Sequence, residues 1–98
     1  MDTNVPLDAE ETWESDPLPT RSYTHITGSV YASVEGTVYI EQSEDQENWD
    51  ISTSYEVESH DGKGFKEELF LPWVRVRYVN GSASQTVFRL NSYLKNLI

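Results

Sequence analysis

The sequence predicts a small all-β protein: an antiparallel β-sandwich, jelly-roll-like or immunoglobulin-like, with an extended acidic N-terminal arm. Three observations carry this prediction. Apolar and polar residues alternate in six segments, turn residues separate those segments, and no segment has the period of an amphipathic helix. Because side chains of a strand point alternately to the two faces of a sheet, alternation indicates half-buried strands. The choice between the two strand orders stays open.

The clearest predicted element lies at residues 73–93. Residues 73–79 alternate between apolar and polar side chains, and so do residues 85–93. The five residues between them begin with Asn80-Gly81, which tolerates positive φ and supplies a turn. This pattern predicts a β-hairpin with a short loop. The hairpin would align three arginines of one parity as a local basic stripe: Arg75, Arg77 and Arg89.

Four further strands are predicted upstream of this hairpin. Gly28 interrupts the first, which indicates a bulge or a bend. Short connections favour a meander with one crossover. Residues 94–98 form a short apolar tail that could cap the core or meet a neighbour. The four upstream strands are expected at residues 22–34, 37–43, 49–57 and 65–71.

The N-terminal segment differs from the remainder of the chain. Residues 1–20 contain six acidic residues, no Lys or Arg, and three of the four prolines. Such a composition is typical of a disordered, solvating tail. Spaced apolar residues favour instead a partner-binding arm that orders against another surface. We therefore divide the chain into an arm, residues 1–21, and a sandwich domain, residues 22–98. The apolar anchors of the arm are Val5, Leu7, Trp13 and Leu18.

Two interpretations of the basic stripe are open. In one, its arginines pair across strands with Glu41, Glu67 or Glu68, at about 0.2–1 kcal/mol per pair. In the other, the stripe receives the acidic residues 8–16 of a neighbouring copy. The second interpretation makes the three arginines partner-binding residues, together with the apolar anchors of the arm.

Composition narrows the possible partners. The chain has 98 residues, enough for one domain, and a formal net charge of −10 with a pI near 4.4. This charge argues against nucleic-acid partners and against an anionic membrane surface. The chain has no cysteine, so a disulfide or a thiolate metal site is excluded. The N-terminus lacks the features of a signal peptide, so we expect synthesis in a cytoplasm without export.

Candidate catalytic groups are sparse. The two histidines, His25 and His60, lie in different predicted elements, and no Gly-x-Ser-x-Gly nucleophile motif occurs. No pair of carboxylates stands out in so acidic a chain. We therefore expect a protein that is not an enzyme and needs no cofactor.

The turn at residues 44–50 offers two further interpretations. Its oxygen-bearing side chains could bind Ca²⁺, but the glycine and terminal glutamate of an EF-hand loop are missing. We favour a structural interpretation in which Asp45 holds the turn and Trp49 enters the core. The oxygen ligands in the turn are Asp45, Glu47, Asn48 and Asp50.

Sugar binding is a further interpretation, because exposed tryptophans and tyrosines could stack on sugar rings, as they do on other β-sandwiches.

Four segments together carry a resemblance to a known class: residues 36–43, 48–50, 73–82 and 88–90. They resemble small β-sandwich domains in virion proteins of tailed bacteriophages, found in capsid decoration, head-fibre and tail components. The resemblance spans residues 22–95. It implies a non-enzymatic structural protein without cofactors, made in the host cytoplasm and assembled in many copies onto a virion.

From this resemblance and the acidic segment we expect a protein that decorates or cements the capsid through its N-terminal arm. Its partners would be capsid or other virion proteins and further copies of itself. The alternative is a tail or fibre component that binds host-surface carbohydrate through an exposed aromatic residue. Removal of residues 1–20 distinguishes the two, because only the first function requires the arm.

Overall fold

The computed structural model describes residues 1–96 and confirms an all-β antiparallel sandwich of two sheets. Within this range no segment is helical, so none forms a helix long and apolar enough to cross a membrane. All six predicted strands are present, and three short strands precede them. The strands are β1 (Asp2–Thr3), β2 (Thr12–Glu14), β3 (Leu18–Pro19), β4 (His25–Ala32), β5 (Gly36–Ser43), β6 (Ile51–Val57), β7 (Lys63–Glu68), β8 (Trp73–Asn80) and β9 (Phe88–Lys95).

The strand order departs from the predicted meander. The four-stranded sheet has the order β1-β9-β4-β7, and the five-stranded sheet has the order β2-β8-β5-β6 with β3 also paired to β8. Of the strands that follow one another in sequence, only β5 and β6 pair. The connection from β2 to β3 stays within the five-stranded sheet, and all the others pass from one sheet to the other. The meander prediction is wrong because a short loop can cross the thin sandwich as readily as it can turn a hairpin.

The predicted hairpin at residues 73–93 is wrong for the same reason. Both strands exist, but β8 lies in the five-stranded sheet and β9 in the four-stranded sheet. The loop between them is held where it leaves β8, since Gly81 N–H donates to the Glu35 carbonyl at 3.0 Å. Tyr78 and Phe88 then meet inside the sandwich, with ring centroids 4.7 Å apart. Their contact packs the two sheets together.

The core consists of the inward-facing residues of both sheets. Gly28 belongs to this inner face and pairs in register with both neighbouring strands, so the predicted bulge is absent. A side chain here would overlap the Phe65 ring and the Asn91 carbonyl, which explains the glycine. Leu94 packs against the core, whereas residues 97–98 of the predicted tail lie outside the described residues. Buried apolar residues are Leu7, Ile26, Val30, Ala32, Val38, Ile40, Val57, Phe65, Val74, Val76, Tyr78, Phe88 and Leu90.

The predicted N-terminal arm is wrong, because the first twenty residues belong to the sandwich. β1 pairs with β9 in one sheet, while β2 and β3 pair with β8 in the other. Between β1 and β2, Leu7 is buried in the core. Its backbone exchanges two hydrogen bonds with Gln85, at 2.7 Å to the side chain and 2.8 Å to the main chain. The backbone N–H and C=O groups of β1, β2 and β3 pair with the edges of β9 and β8. A binding partner is therefore not needed to order the segment.

Candidate interaction surfaces

The outer face of the five-stranded sheet carries a cluster that we name the arginine face. It is centred on β5 and β8, whose register places Glu41 opposite Arg75 and Tyr39 opposite Arg77. Because residues two apart share a face, the parity of Glu41, Arg75 and Arg77 points outward, while Val38, Val74 and Val76 point into the core. The arginine face consists of Glu14, Tyr39, Glu41, Trp49, Arg75 and Arg77.

Glu41 is the centre of this cluster and is only 6% exposed. Its Oε1 accepts hydrogen bonds from Arg75 Nε at 2.9 Å and Arg77 Nε at 3.2 Å. Its Oε2 accepts from Arg77 Nη2 at 3.1 Å and from Ser52 Oγ at 3.2 Å. The predicted cross-strand pairing of these two arginines with Glu41 is therefore present. A buried carboxylate requires such partners, because charge without them is costly.

The titration of Glu41 reflects two opposing causes. Burial raises the pKa of this carboxyl, while the hydrogen bonds and charges of Arg77 and Arg75 lower it. The arginines outweigh the burial, and the pKa lies below its usual value. The hydrogen bond with Glu41 in turn raises the pKa of Arg77. The cluster is thus fixed in its charged form.

Aromatic rings hold the two guanidinium groups against the sheet. Arg75 Cζ lies 4.0 Å from the ring centroid of Trp49, and Arg77 Cζ lies 4.2 Å from that of Tyr39. Arg75 Nη1 also lies 3.5 Å from Glu14 Oε2, so a residue of the acidic segment 8–16 reaches the arginines within the same chain. The prediction that Trp49 enters the core is wrong, because Trp49 is half-buried on the outer face, where Arg75 lies over its ring.

The turn before Trp49 is organised by Asp45. This carboxylate accepts hydrogen bonds from the Asn48 and Glu47 N–H groups at 2.8 and 2.9 Å, and from Asn48 Nδ2 at 2.9 Å. These bonds, the one from the Asn48 backbone foremost, hold the pKa of Asp45 far below its usual value. The structural interpretation of Asp45 is confirmed. Within residues 1–96 no group of three or more His, Asp or Glu side chains is arranged to hold a metal ion.

The outer face of the four-stranded sheet differs, and we name it the lysine face. Tyr31 and Arg89 face each other across β4 and β9, with the guanidinium 4.6 Å from the Tyr31 ring centroid. Tyr93 is 59% exposed and lies opposite Thr27. Among residues 1–96, the ion pairs all belong to the arginine face, so the cations of this face are without a carboxylate partner. The lysine face consists of His25, Tyr31, Lys66, Glu68, Arg89, Tyr93 and Lys95.

The residues predicted to bind a partner are dispersed. Val5 is 65% exposed, whereas Leu7 is buried and is not presented to a partner in this structure. Trp13 packs against the core, and Leu18 pairs with Val74 in the five-stranded sheet. The predicted stripe is wrong in one respect, since Arg75 and Arg77 share a face but Arg89 lies on the other sheet. Crossing of the 81–87 loop separates them.

The two histidines stand at opposite ends of β4. His25 Nδ1 lies 2.8 Å from Thr24 Oγ1, and His60 Nδ1 lies 3.4 Å from Tyr31 Oη. The His60 N–H donates to the Ala32 carbonyl at the far end of the strand. They are therefore too far apart to act together.

Sequence reasoning missed an apolar groove at one end of the sandwich. Phe70, which is 65% exposed, and Tyr23, which is 42% exposed, lie on it with Trp73. The groove encloses about 500 Å³ and includes Pro19 and Pro72. Phe70 had a signal in the sequence, because it follows Leu69 and precedes Leu71 in a run that cannot alternate between faces.

Comparisons with known proteins agree with this architecture. Residues 1–95 match the family described as the N-terminal domain of uncharacterised protein YqxG. YqxG of Bacillus subtilis (strain 168) is 32% identical over 92 residues, which is 90% of this chain and 31% of that protein. The solved structure described as PBSX exported protein XepA superimposes with a TM-score of 0.92 at 26% identity, over 98% of this chain and 36% of that one. The chain thus spans about a third of the length of each relative.

Proposed function

Because the chain belongs to the family of the YqxG N-terminal domain, we propose that it is a non-enzymatic structural protein of a tailed-phage particle. The observation that carries this proposal is the similarity to XepA, a protein of the phage-like element PBSX. The similarity extends over nearly the whole chain and includes the N-terminal strands. It agrees with the resemblance to virion sandwich domains seen in the sequence.

The finer role that we propose is decoration of the capsid in many copies. The docking element must be a folded surface, since the first twenty residues are strands of the sandwich. Of the two outer faces, the arginine face has its charges neutralised within the chain. The lysine face offers cations without carboxylate partners in a protein of net charge −10. The lysine face is therefore the attachment surface that we propose, and Arg89 is one of its three Lys and Arg side chains.

The test is co-purification with particles. A tagged copy replaces the native gene in the producing strain, particles are banded in a density gradient, and the tag is measured in the particle band and in the free supernatant. We expect the protein in the particle band, and Arg89→Glu should move it to the supernatant. Arg21→Glu is the matched control, because it makes the same change of charge at an exposed residue that belongs to neither face. Wild-type protein found only in the supernatant would contradict the proposal and would indicate an exported protein like XepA.

A second candidate function is binding of host-surface carbohydrate. The specific observation in its favour is Tyr93, whose exposed ring lies on the lysine face opposite Thr27 and two residues from Asn91, while Lys66 lies on the far side of Thr27. A flat aromatic ring beside hydroxyl, amide and ammonium groups suits stacking and hydrogen bonding to a sugar. In a pull-down with host cell walls, Tyr93→Ser should abolish binding while Tyr23→Ser should not. Equal binding by both variants would exclude this candidate.

A further inference from the structure

The apolar groove at Phe70 belongs to neither the arginine face nor the lysine face and has no role in the proposed function. Among residues 1–96 five large hydrophobic side chains are exposed, and two of them, Phe70 and Tyr23, line this groove together with Trp73. A single exposed hydrophobic side chain is ordinary, whereas a cluster of them marks a surface that binds a ligand or a partner. The groove therefore has the composition of a docking surface.

The loop that carries Phe70 is held from below by two buried polar side chains. Gln42 Oε1 accepts hydrogen bonds from the Phe70 and Leu71 N–H groups at 2.7 and 3.2 Å. Thr20 donates from Oγ1 to the Leu71 carbonyl at 2.8 Å and from its N–H to the Pro72 carbonyl at 2.7 Å. These bonds fix the backbone around the exposed ring, so the groove is formed before a ligand arrives.

The same bonds limit how a ligand can be recognised. The N–H groups of Leu69, Phe70 and Leu71 all have partners within the chain, so a peptide cannot add to this loop as a further strand. The groove offers instead aromatic rings and two polar groups, the Tyr23 hydroxyl and the Trp73 indole N–H, which have no hydrogen-bond partner among residues 1–96. Aromatic grooves with such donors suit polyproline II segments, which have no internal hydrogen bonds and leave every carbonyl free to accept one.

The charge of the groove is opposite to that of the chain. Among the described residues that line the groove, Arg21 is the only charged one, although the chain carries a net charge of −10. Arg21 is exposed and forms no ion pair within residues 1–96. A carboxylate of a ligand would be attracted to this position, and no lining carboxylate would repel it. The groove thus favours an acidic ligand.

Arg21 also adopts a backbone conformation that favours glycine. Its φ is 49°, in a turn closed by the Tyr23 N–H, which donates to the Thr20 carbonyl at 2.9 Å. Glycine would occupy this position without strain. A strained residue that carries a polar side chain is typical of a ligand-binding position.

From these observations we propose that the groove binds a proline-containing, acidic peptide segment of a partner protein in the polyproline II conformation. The prolines of this segment pack against Tyr23, Phe70 and Trp73, and its carbonyls accept hydrogen bonds from the hydroxyl and indole groups. Arg21 pairs with an Asp or Glu that flanks the prolines. A polyproline II segment is already extended, so little conformational entropy is lost when it binds. The inference goes beyond the proposed function, because attachment to particles uses the lysine face.

Selection from a random peptide library tests the proposal directly. A library of random dodecapeptides displayed on yeast is sorted with labelled wild-type protein and, in parallel, with Phe70→Ser. Wild type should enrich peptides with prolines about three residues apart and an Asp or Glu beside them, and Phe70→Ser should enrich none of these. No enrichment by wild type, enrichment of peptides without proline, or equal enrichment by Phe70→Ser would overturn the proposal.

Val5→Ser is the matched control for this selection. Val5 and Phe70 are both 65% exposed, so both variants remove an exposed hydrophobic side chain. Val5 lies at the other end of the sandwich, since the nearby Leu7 is bonded to Gln85 in the loop after β8, whereas the groove lies where β8 begins. Val5→Ser should enrich the same peptides as wild type.

An enriched peptide then tests the role of Arg21 by fluorescence anisotropy. Arg21→Gly should weaken binding by about threefold, as expected for an exposed ion pair. Its melting temperature should equal or exceed that of wild type, because glycine suits the positive φ. Replacing the acidic residue of the peptide by glutamine should cause the same loss, and both changes together should cause no further loss. Additive losses, or unchanged affinity for Arg21→Gly, would overturn the acidic class of ligand.

Two other occupants of the groove would give different results. If a second copy of the chain filled it, Phe70→Ser would sediment as a smaller assembly than wild type. If a lipid surface filled it, wild type would bind phosphatidylglycerol vesicles and Phe70→Ser would not. Either result would overturn the proposal. Neither bears on the attachment of the lysine face to particles.

Discussion

The two outer faces of the sandwich use arginine in opposite ways. On the arginine face, Arg75 is hydrogen-bonded to Glu41 at 2.9 Å and stacks on Trp49. On the lysine face, Arg89 also stacks on an aromatic ring, that of Tyr31, but has no carboxylate partner among residues 1–96. The alternation of side chains along a strand determines which residues lie on an outer face. The register of the neighbouring strand then determines whether a carboxylate lies close enough to neutralise an arginine on that face. The first face therefore stabilises the fold, and the second remains available for binding.

The largest expected effect comes from removing the charge at the centre of the arginine face. Glu41→Gln leaves two stacked guanidinium groups without their carboxylate, and we expect a loss of about 2–3 kcal/mol in the free energy of unfolding. Urea denaturation followed by fluorescence measures it. Glu68→Gln on the other face is the matched control and should change stability by less than about 0.5 kcal/mol. Equal losses in both variants would contradict the proposed difference between the faces.

The same carboxylate should make stability depend on pH. The pKa of Glu41 is lowered in the folded state by Arg77 and Arg75 in spite of burial. A group with a lowered folded pKa contributes stability above its ordinary value, 4.5 here, and that contribution is lost as pH falls through the folded pKa. Between about pH 5 and pH 3, wild type should therefore lose more stability than Glu41→Gln.

Thermal unfolding over this pH range is the measurement. The variant should keep part of the acid slope, because the pKa of Asp45 is also lowered, chiefly by the Asn48 backbone N–H. The informative quantity is the difference between the two slopes. Parallel curves for wild type and Glu41→Gln would show that the arginines do not hold Glu41 in its charged form.

A smaller effect is expected when arginine is replaced by lysine on each face. Arg75→Lys removes the planar group that bonds Glu41, stacks on Trp49 and reaches Glu14, and should cost about 1 kcal/mol. Arg89→Lys loses only the stack on Tyr31 and should cost less than about 0.5 kcal/mol. Chemical denaturation of both variants provides the comparison. A greater loss for Arg89→Lys would reverse the roles assigned to the faces.

The smallest effect on stability is expected from the exposed cations of the lysine face. Lys66→Gln and Lys95→Gln should each stay within about 0.5 kcal/mol of wild type, since no carboxylate in residues 1–96 depends on them. Their effect should be on attachment instead. The fraction of protein in the particle band should fall, and should fall further as salt is raised. Unchanged attachment in the double variant would remove this face from the proposal.

The strands were predictable because their signal is local. Val74, Val76 and Tyr78 alternate in sequence and point inward in the structure. Which strands pair is a long-range property. Residues 80–84 have hairpin composition, yet the loop they begin crosses the sandwich, since Phe88 must meet Tyr78 on its inner side. Local turn chemistry cannot distinguish these two outcomes.

The prediction of an N-terminal arm failed for a related reason. The composition of residues 1–20 is an average over the segment and does not distinguish buried from exposed positions. In the structure Leu7 and Trp13 pack inward, while the acidic residues between them are exposed. The pairing of Arg75 and Arg77 with Glu41 was foreseen as one of two alternatives, because β5 and β8 are ordinary alternating strands. The separation of Arg89 from them could not be foreseen, since it depends on the crossing loop.

The pairing of β4 with β9 also has a consequence for how the chain reaches its native state. Residues 25–32 are bonded to residues 88–95, and Asp2 lies opposite Asn91. These contacts close loops of nearly the whole sequence, so little of their free energy is gained until the last strand is in place. We expect a slow and highly cooperative folding reaction. A nascent chain emerging from the ribosome should stay unstructured until β9 has left the exit tunnel.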